Sequence, residues 1–216
     1  MIRVVIADDH TILREGLRQL LGVAPDIAVV AEAADGHEVM ARVRSEEFDL
    51  LLLDMSMPGK SGIELIKQVK AERPKLRILV LSMHEESQYA VRAIKAGASG
   101  YVTKDGAATQ LVTAIRKVAG GGAFITAEVA EQLALGAMPD SSGPLHTRLS
   151  DREFEVFQLL VAGVTVTDIA ARLNLSDKTV STHKARLMEK LGLHNQADLV
   201  RYALRHHLAD DEGTSG

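Results

Sequence analysis

The chain contains no cysteine. Disulfide frameworks and thiolate metal sites are therefore excluded. No apolar run approaches the roughly 20 residues of a membrane helix, so no membrane partner is expected. The start runs straight into a strand-like segment and lacks the layout of a signal peptide. A cytoplasmic protein is expected. A global basic field is also missing, because the net charge is -4, and nothing in the total announces nucleic acid. There is no G-x-x-x-x-G-K-[ST] loop, which disfavours a nucleotide-binding switch. Internal repeats and low-complexity tracts are absent as well.

What is present is an ordinary core-forming composition. Of 216 residues, 46% are hydrophobic, enough for one or two domains with proper cores. Residues 1–122 alternate short β-like runs with helix-period segments. The strands are expected at about Arg3–Ala7, Ala28–Ala33, Leu50–Asp54, Ile78–Ser82 and Gly100–Val102. Helices are expected at about Ile12–Leu21, Gly36–Ser45, Ile63–Glu72, Glu86–Ala96 and Ala107–Ala119. Continuous apolar runs such as Leu50–Leu53 imply burial on both faces, as in a parallel sheet covered by helices. Right-handed crossovers then give an α/β doubly wound, five-stranded parallel sheet of the flavodoxin-like kind.

Gly120-Gly121-Gly122 stops the last of these helices. Residues 123–147 read as a linker with a short helix at Ala127–Leu135, and Gly136–Thr147 is rich in Gly, Pro and Ser. Residues 148–209 are helical throughout in pattern. Ser150-Asp151-Arg152-Glu153 is a capping box opening a helix to Ala162, which Gly163 ends. Thr167 is expected to cap a short helix to Leu173, and Ser176 a third over Asp177–Leu191, ended by Gly192. Asn195 is expected to cap a fourth, to about His207. Residues 210–216 read as a frayed tail.

The ends of the strands carry the chemistry. Asp8-Asp9 closes the first apolar run, Asp54 the third and Ser82 the fourth, and Lys104 follows the fifth. In a parallel sheet these ends open on one edge, where such folds bind ligands. The carboxylates suit a hard divalent cation. The amine and hydroxyl suit a phosphoryl group. Alone, Asp54 would read as a turn residue or helix cap, and Tyr101 as core filling. The constellation reads as a site where Asp54 is phosphorylated.

With Met57-Pro58-Gly59, Gly62, Ala96-Gly97-Ala98 and Tyr101 added, residues 1–122 resemble the receiver domain of bacterial two-component response regulators. The resemblance implies Mg²⁺ held by Asp8, Asp9, Asp54 and the backbone carbonyl of Ser56. It implies Asp54 as phosphoacceptor, Lys104 as the phosphate's ammonium partner, and Ser82 and Tyr101 as the switch pair. His10 stays outside this ligand set. His84 reads either as an influence on hydrolysis at the site mouth or as a solvated loop histidine. Asp105 departs from the proline many receivers carry after the lysine, which argues against a cis peptide there.

The second half resembles the LuxR/NarL/FixJ type of helix-turn-helix output domain. The matching residues are Leu149-Ser150-Asp151-Arg152-Glu153, Asp168-Ile169-Ala170, Leu173, Leu175-Ser176, Lys178-Thr179-Val180, His183, Leu187, Lys190-Leu191 and Ala197. Residues 176–207 are also locally basic, with six Lys and Arg against three Asp and Glu. On Asp177–Leu191 the inward stripe is Val180, Leu187 and Leu191. Lys178, Thr179, Ser181, Thr182, His183, Lys184, Ala185 and Arg186 are expected at or near DNA. Small and cationic groups of this kind suit close approach to a major groove. Base readout is assigned to Ser181, Thr182 and Ala185, with Lys184. Thr179 and His183 are assigned phosphate contacts or fixing of the helix. A basic helix face is also what any solvated helix shows. The last helix offers Leu199, Ala203 and Leu204 to its own core or to a second copy.

The resemblances imply a phosphorylation-controlled transcriptional regulator. Its partners would be a sensor histidine kinase, an operator in double-stranded DNA, a second copy on that DNA, and RNA polymerase. It would be no enzyme beyond accepting the phosphoryl group and slowly hydrolysing it. An aspartyl-phosphate phosphatase needs a second acid two residues after the nucleophile, where this chain has Ser56. A protein-binding regulator whose helical module no longer touches DNA is the other alternative.

Overall fold

The computed structural model describes residues 1–57, 62–82, 87–135, 144–206 and 208. Five strands, β1 (Ile2–Ala7), β2 (Ile27–Ala33), β3 (Leu50–Asp54), β4 (Arg77–Ser82) and β5 (Gly100–Thr103), form one sheet in the order β2-β1-β3-β4-β5. Every pairing is parallel. The helices between and after the strands are α1 (Thr11–Gly22), α2 (Gly36–Ser45), α3 (Gly62–Glu72), α4 (Ser87–Lys95) and α5 (Lys104–Ala119). Residues Leu50 to Leu53 are fully buried, as their unbroken apolar run requires. Burying each leucine is worth about 1.5–3 kcal/mol. Val4, Ile6, Leu50, Leu52, Leu79 and Leu81 pack with Leu17 and Leu21 of α1 and with Leu111, Ile115 and Val118 of α5. Their alternate neighbours Val5, Leu51, Leu53, Ile78 and Val80 are buried as well, on the opposite face of the pleat.

α5 starts at Lys104, three residues earlier than the sequence pattern placed it. β5 hands the chain directly to the helix, so Lys104 occupies the first helical turn rather than a loop. Past α5, Gly121 adopts φ +90 and turns the chain back. Phe124 then bridges to Gly100 as a short parallel extension of the sheet edge. Gly100 is required at this point: a Cβ there would meet Leu79 Cδ1 at 2.8 Å and the Phe124 carbonyl at 3.0 Å. The helix α6 (Ala127–Leu135) follows, and Gln88 on α4 donates to Gln132 at 3.3 Å.

The chain divides into two compact units, 1–132 and 133–216. The second is built from α7 (Asp151–Val161), α8 (Val166–Leu173), α9 (Asp177–Leu191) and α10 (Gln196–Arg205), preceded by a 3-10 helix at Leu145–Arg148. Residues 145–147, assigned to the linker by composition, are thus structured. His146 is buried, and Tyr202 Oη lies 3.1 Å from its Nδ1. The capping box at Ser150 and Glu153 is present in both directions. The cap of α8 is Thr165, not Thr167. Thr165 is extended and accepts from Asp168 N, whereas Thr167 lies inside the helix and its hydroxyl donates to Asp177 Oδ2 at 2.9 Å. Asn174 takes the left-handed conformation at φ 51, and Ser176 caps α9 two residues later. That sharp turn sets α9 against α8. Leu199 and Ala203 of α10 are buried, but Leu204 is 51% exposed and belongs to no core.

Glu153 ties this unit together. Its carboxylate accepts from Ser150 N at 2.8 Å and from Lys190 Nζ on α9 at 2.6 Å. Burial works against the charged form, but Lys190 and the Ser150 bonds outweigh it and hold the carboxyl below its ordinary value. A lowered carboxyl contributes stability above its unfolded value, about 4.3. That contribution drains as pH falls below that value and through the folded one. Glu153→Gln should cost on the order of 1–3 kcal/mol at neutral pH. The difference from wild type should shrink as pH falls below about 4. Urea titrations of both proteins at several pH values measure this, and a pH-independent difference would contradict it.

Candidate functional site

The parallel register fixes where the strands end. Ala7 pairs with Leu53, Asp54 with Leu81, and Ser82 with Thr103. Asp8, Asp54, Ser82 and Lys104 therefore collect at one edge of the sheet. Asp8, Asp54 and Ser82 are fully buried. Lys104 Nζ lies 2.9 Å from Asp8 Oδ2 and 2.9 Å from Asp54 Oδ2. The bond to Asp8 is an aligned hydrogen bond, whereas the approach to Asp54 is an ion pair without hydrogen-bond alignment. Ser56 N donates to Asp54 Oδ1 at 3.2 Å. Ser56 itself is exposed.

Burial pushes the Asp54 carboxyl up, and the nearby Lys104 offsets only part of this. Burial also pulls on the Lys104 ammonium, but Asp8 and Asp54 outweigh it and raise its pKa. Two carboxylates thus share one buried ammonium. Three carboxylates and one ammonium leave the cluster with excess negative charge, which like-charge repulsion penalises.

The donor set fits a divalent cation. Ligand atoms of Asp8, Asp9, His10 and Asp54 lie within 4.8 Å of one another. Asp9 Oδ1 and Asp54 Oδ2 are buried without a hydrogen-bond partner. Oxygen-rich sites of this kind suit Mg²⁺.

One residue here escaped the sequence reading. Arg14 Nη1 donates to the Asp8 carbonyl at 2.6 Å and its Nε to Glu32 at 3.2 Å, tying the Asp8–Asp9 turn to β2. An arginine one turn into a helix carried no signal of its own. His10 donates its backbone N to Asp8 Oδ1 at 2.8 Å, and its ring faces the cluster. Tyr101 is buried on β5, and its backbone N donates to Phe124 O at 2.8 Å. Residues 83–86, including His84, and residues 58–61 lie outside the described residues.

In the second unit the sequence-predicted face of α9 separates into two parts. Lys178, Ser181, Thr182, Ala185 and Arg186 are exposed. Their spacing places Lys178, Ser181, Thr182 and Ala185 on one side of the helix. Lys184 and Thr179 are half-buried, and Thr179 is engaged in the cap through its N and hydroxyl to Ser176. The Thr182 hydroxyl bonds back to the Lys178 carbonyl at 2.8 Å. This leaves an acceptor lone pair and the methyl for a ligand. His183 is half-buried, with Nδ1 buried and without a hydrogen-bond partner. Burial lowers its pKa, as do Arg152 and Arg186, against the opposing pull of Glu153.

Comparisons with known proteins identify both domains. The profile of the response regulator receiver domain matches residues 4–116, and that of bacterial regulatory proteins of the luxR family matches residues 147–203. The response regulator UvrY of Escherichia coli K12 is 35% identical over 216 residues, covering 100% of this chain and 99% of the relative. The transcriptional regulatory protein UhpA of the same strain is 40% identical over 202 residues, covering 93% and 97%. The solved structure of RcsB from Salmonella enterica serovar Typhimurium, bound to promoter rprA in the presence of the phosphomimetic BeF3-, superposes with a TM-score of 0.70. It is 34% identical and covers 94% of this chain and 98% of that one. The chain therefore belongs to the NarL/FixJ family of response regulators, carrying a receiver domain followed by a LuxR-type DNA-binding domain.

Proposed function

We propose that Asp54 accepts a phosphoryl group from a sensor histidine kinase, and that this event controls binding of α9 to an operator. The observation that carries the reading is a fully buried Asp54 at the end of β3, sharing the Lys104 ammonium with Asp8. Residues 1–122, with the edge segment to Gln132, act as receiver, the rest of 123–144 as linker, 145–209 as DNA-binding domain and 210–216 as tail. No helix among the described residues is long and apolar enough to cross a membrane, and the reading places the protein in the cytoplasm.

Asp8, Asp9, Asp54 and the Ser56 carbonyl would hold Mg²⁺. When bound, the ion neutralises charge that builds on the phosphoryl oxygens. The chain's own groups do the rest. An Asp54 oxygen attacks phosphorus, the P–N bond to the donor histidine breaks, and the histidine nitrogen leaves. Burial raises the basicity of Asp54 and so favours attack. Lys104 stands ready for a phosphoryl oxygen, which then competes for the ammonium that Asp8 and Asp54 share. Ser82 and Tyr101, on the adjoining strand end and on β5, are the residues through which that change is read. Slow hydrolysis resets the site.

On the output side, Lys178 and Lys184 supply charge for phosphates, with Arg186 beside them. Ser181, Thr182 and Ala185 present small groups suited to base edges. Thr179 and His183 fix the helix rather than read sequence. RcsB, 34% identical, is seen on promoter DNA with a phosphomimetic, and another RcsB structure holds two dimers on two parallel DNAs. These support DNA binding by a pair of copies; RNA polymerase is the further partner that the reading itself names at a promoter.

Acetyl phosphate with Mg²⁺ should add one phosphoryl group, seen by intact mass. Asp54→Asn should abolish the adduct, and Lys104→Ala should keep some phosphorylation while losing its effect on DNA binding. An equally stable, equally Mg²⁺-dependent adduct on Asp54→Asn would overturn the assignment. The helical module alone, about residues 145–212, should bind DNA. Lys178→Ala and Lys184→Ala should weaken it and flatten its salt slope by about one unit each, while Thr182→Ala changes sequence preference. Unchanged binding in all three variants would remove α9 as the contact face. Phosphorylation should favour dimers and tighten DNA binding roughly ten- to a hundredfold, as couplings of 1–3 kcal/mol do. Sedimentation and DNA titration of both states measure this, and equal behaviour in the two states would refute the switch.

A further inference from the structure

The oxygens of the carboxylate cluster are divided between two nitrogens. Asp8 Oδ2 and Asp54 Oδ2 face Lys104, at 2.9 Å each. Asp8 Oδ1 and Asp9 Oδ1 face His10 Nδ1, at 3.2 Å and 3.0 Å. The two nitrogens differ in kind. An ammonium has no lone pair to offer, whereas a neutral imidazole has one. Neighbouring ligands on an octahedral ion at about 2.1 Å are about 3.0 Å apart, and opposite ones about 4.2 Å. The spacing of His10 from the two carboxylates matches neighbouring positions. The 4.8 Å limit on the whole group of Asp8, Asp9, His10 and Asp54 leaves room for an opposite pair. Within the cluster, Asp54 is fully buried, and its Oδ2 has no aligned hydrogen bond.

We propose that His10 is a nitrogen ligand of this site for first-row transition cations such as Co²⁺, and that it sets the preference between these ions and Mg²⁺. The proposal rests on the reading that Asp8, Asp9 and Asp54 hold a divalent cation. Imidazole suits borderline transition ions, and Mg²⁺ takes oxygen. Toward Mg²⁺, His10 keeps its ring nitrogen for Asp8 Oδ1 and adds no ligand. Toward Co²⁺ it turns its lone pair inward and completes a mixed oxygen and nitrogen set. The side chain is 66% exposed, so its replacement removes a ligand without opening a core. The backbone bond from His10 N to Asp8 Oδ1 at 2.8 Å is available to any residue there.

The test uses the full-length protein with Co²⁺ and Mg²⁺ as probes. Calorimetric titration should show Co²⁺ bound about tenfold or more tightly in wild type than in His10→Ala or His10→Gln. Mg²⁺ affinity should differ less than about twofold among the three proteins. The proton NMR spectrum of the Co²⁺ form should contain a strongly shifted, exchangeable imidazole N–H that disappears in His10→Ala. Loss of Mg²⁺ and Co²⁺ affinity in equal measure, or a Co²⁺ form without the shifted N–H, would overturn the proposal and leave the carboxylate site standing. Failure of Co²⁺ alone to bind wild type would likewise overturn the proposal. Failure of both ions to bind, or binding unaffected by Asp54→Asn, would instead sink the cation reading, and this inference with it.

Discussion

One buried ammonium shared by two carboxylates organises the receiver. Lys104 reaches from the first turn of α5 to Asp8 at the end of β1 and Asp54 at the end of β3. These strands are adjacent, while β5 lies two places further along the sheet. A single cation therefore spans most of the strand-end edge. Its attraction has to balance the repulsion among Asp8, Asp9 and Asp54, and one positive charge against three negative ones does not complete the balance. The remaining negative charge is what a divalent cation is suited to meet. Attaching a phosphoryl group to Asp54 would then replace one acceptor of Lys104 by another, larger and further out. The site is poised because its charges are not satisfied from within.

The consequences of a change at Lys104 are set by what β5 is bonded to. Its outer edge is not free. Tyr101 N donates to Phe124 O at 2.8 Å, and Phe124 N donates to Ser99 O at 3.2 Å. α4 is bonded in turn to α6 through Gln88 and Gln132. The segment after α5 is thus part of the receiver's edge and not a tether hanging from it. Backbone hydrogen bonds tolerate little sliding before they break. Movement of β5 or α4 in the proposed switch would be borne by residues 122–132, and so by the start of the segment assigned as linker.

The sequence made the strand-end chemistry legible because parallel strands put their carboxyl ends together whatever the loops do. Asp8, Asp54, Ser82 and Lys104 needed only strand order to be placed. The strands and most helix limits were readable for a related reason: unbroken apolar runs and glycine stops report burial and termination locally. What stayed hidden depends on contacts distant in sequence. Arg14 shows its role only through the Asp8 carbonyl and Glu32 of β2. Phe124 matters only because Gly100 lacks a Cβ. Thr167 reads as the cap because its hydroxyl precedes the helical pattern, but the same is true of Thr165, which is the actual cap. The choice between them turned on the extended backbone of Thr165 and the pull of Asp177 on Thr167. His10 stood outside the ligand set that the resemblance implies, and its direction relative to the two aspartates is fixed only where α1 starts at Thr11.

In the helical unit α9 is positioned by polar contacts at its far end as much as by its core stripe. Val180, Leu187 and Leu191 bury one face of α9, but an apolar stripe alone lets a helix rotate by a fraction of a turn. Lys190 bonded to a Glu153 that is already locked by the Ser150 capping box removes that freedom. His183, half-buried beside Arg152 and Glu153, sits on the same flank. With rotation fixed there, Lys178, Ser181, Thr182 and Ala185 are held outward as one surface. Discrimination among bases depends on side chains arriving at base edges in a defined order. In the proposed function, the capping box at the start of α7, far in sequence from that surface, would therefore be part of what makes it a reading head rather than a merely charged helix.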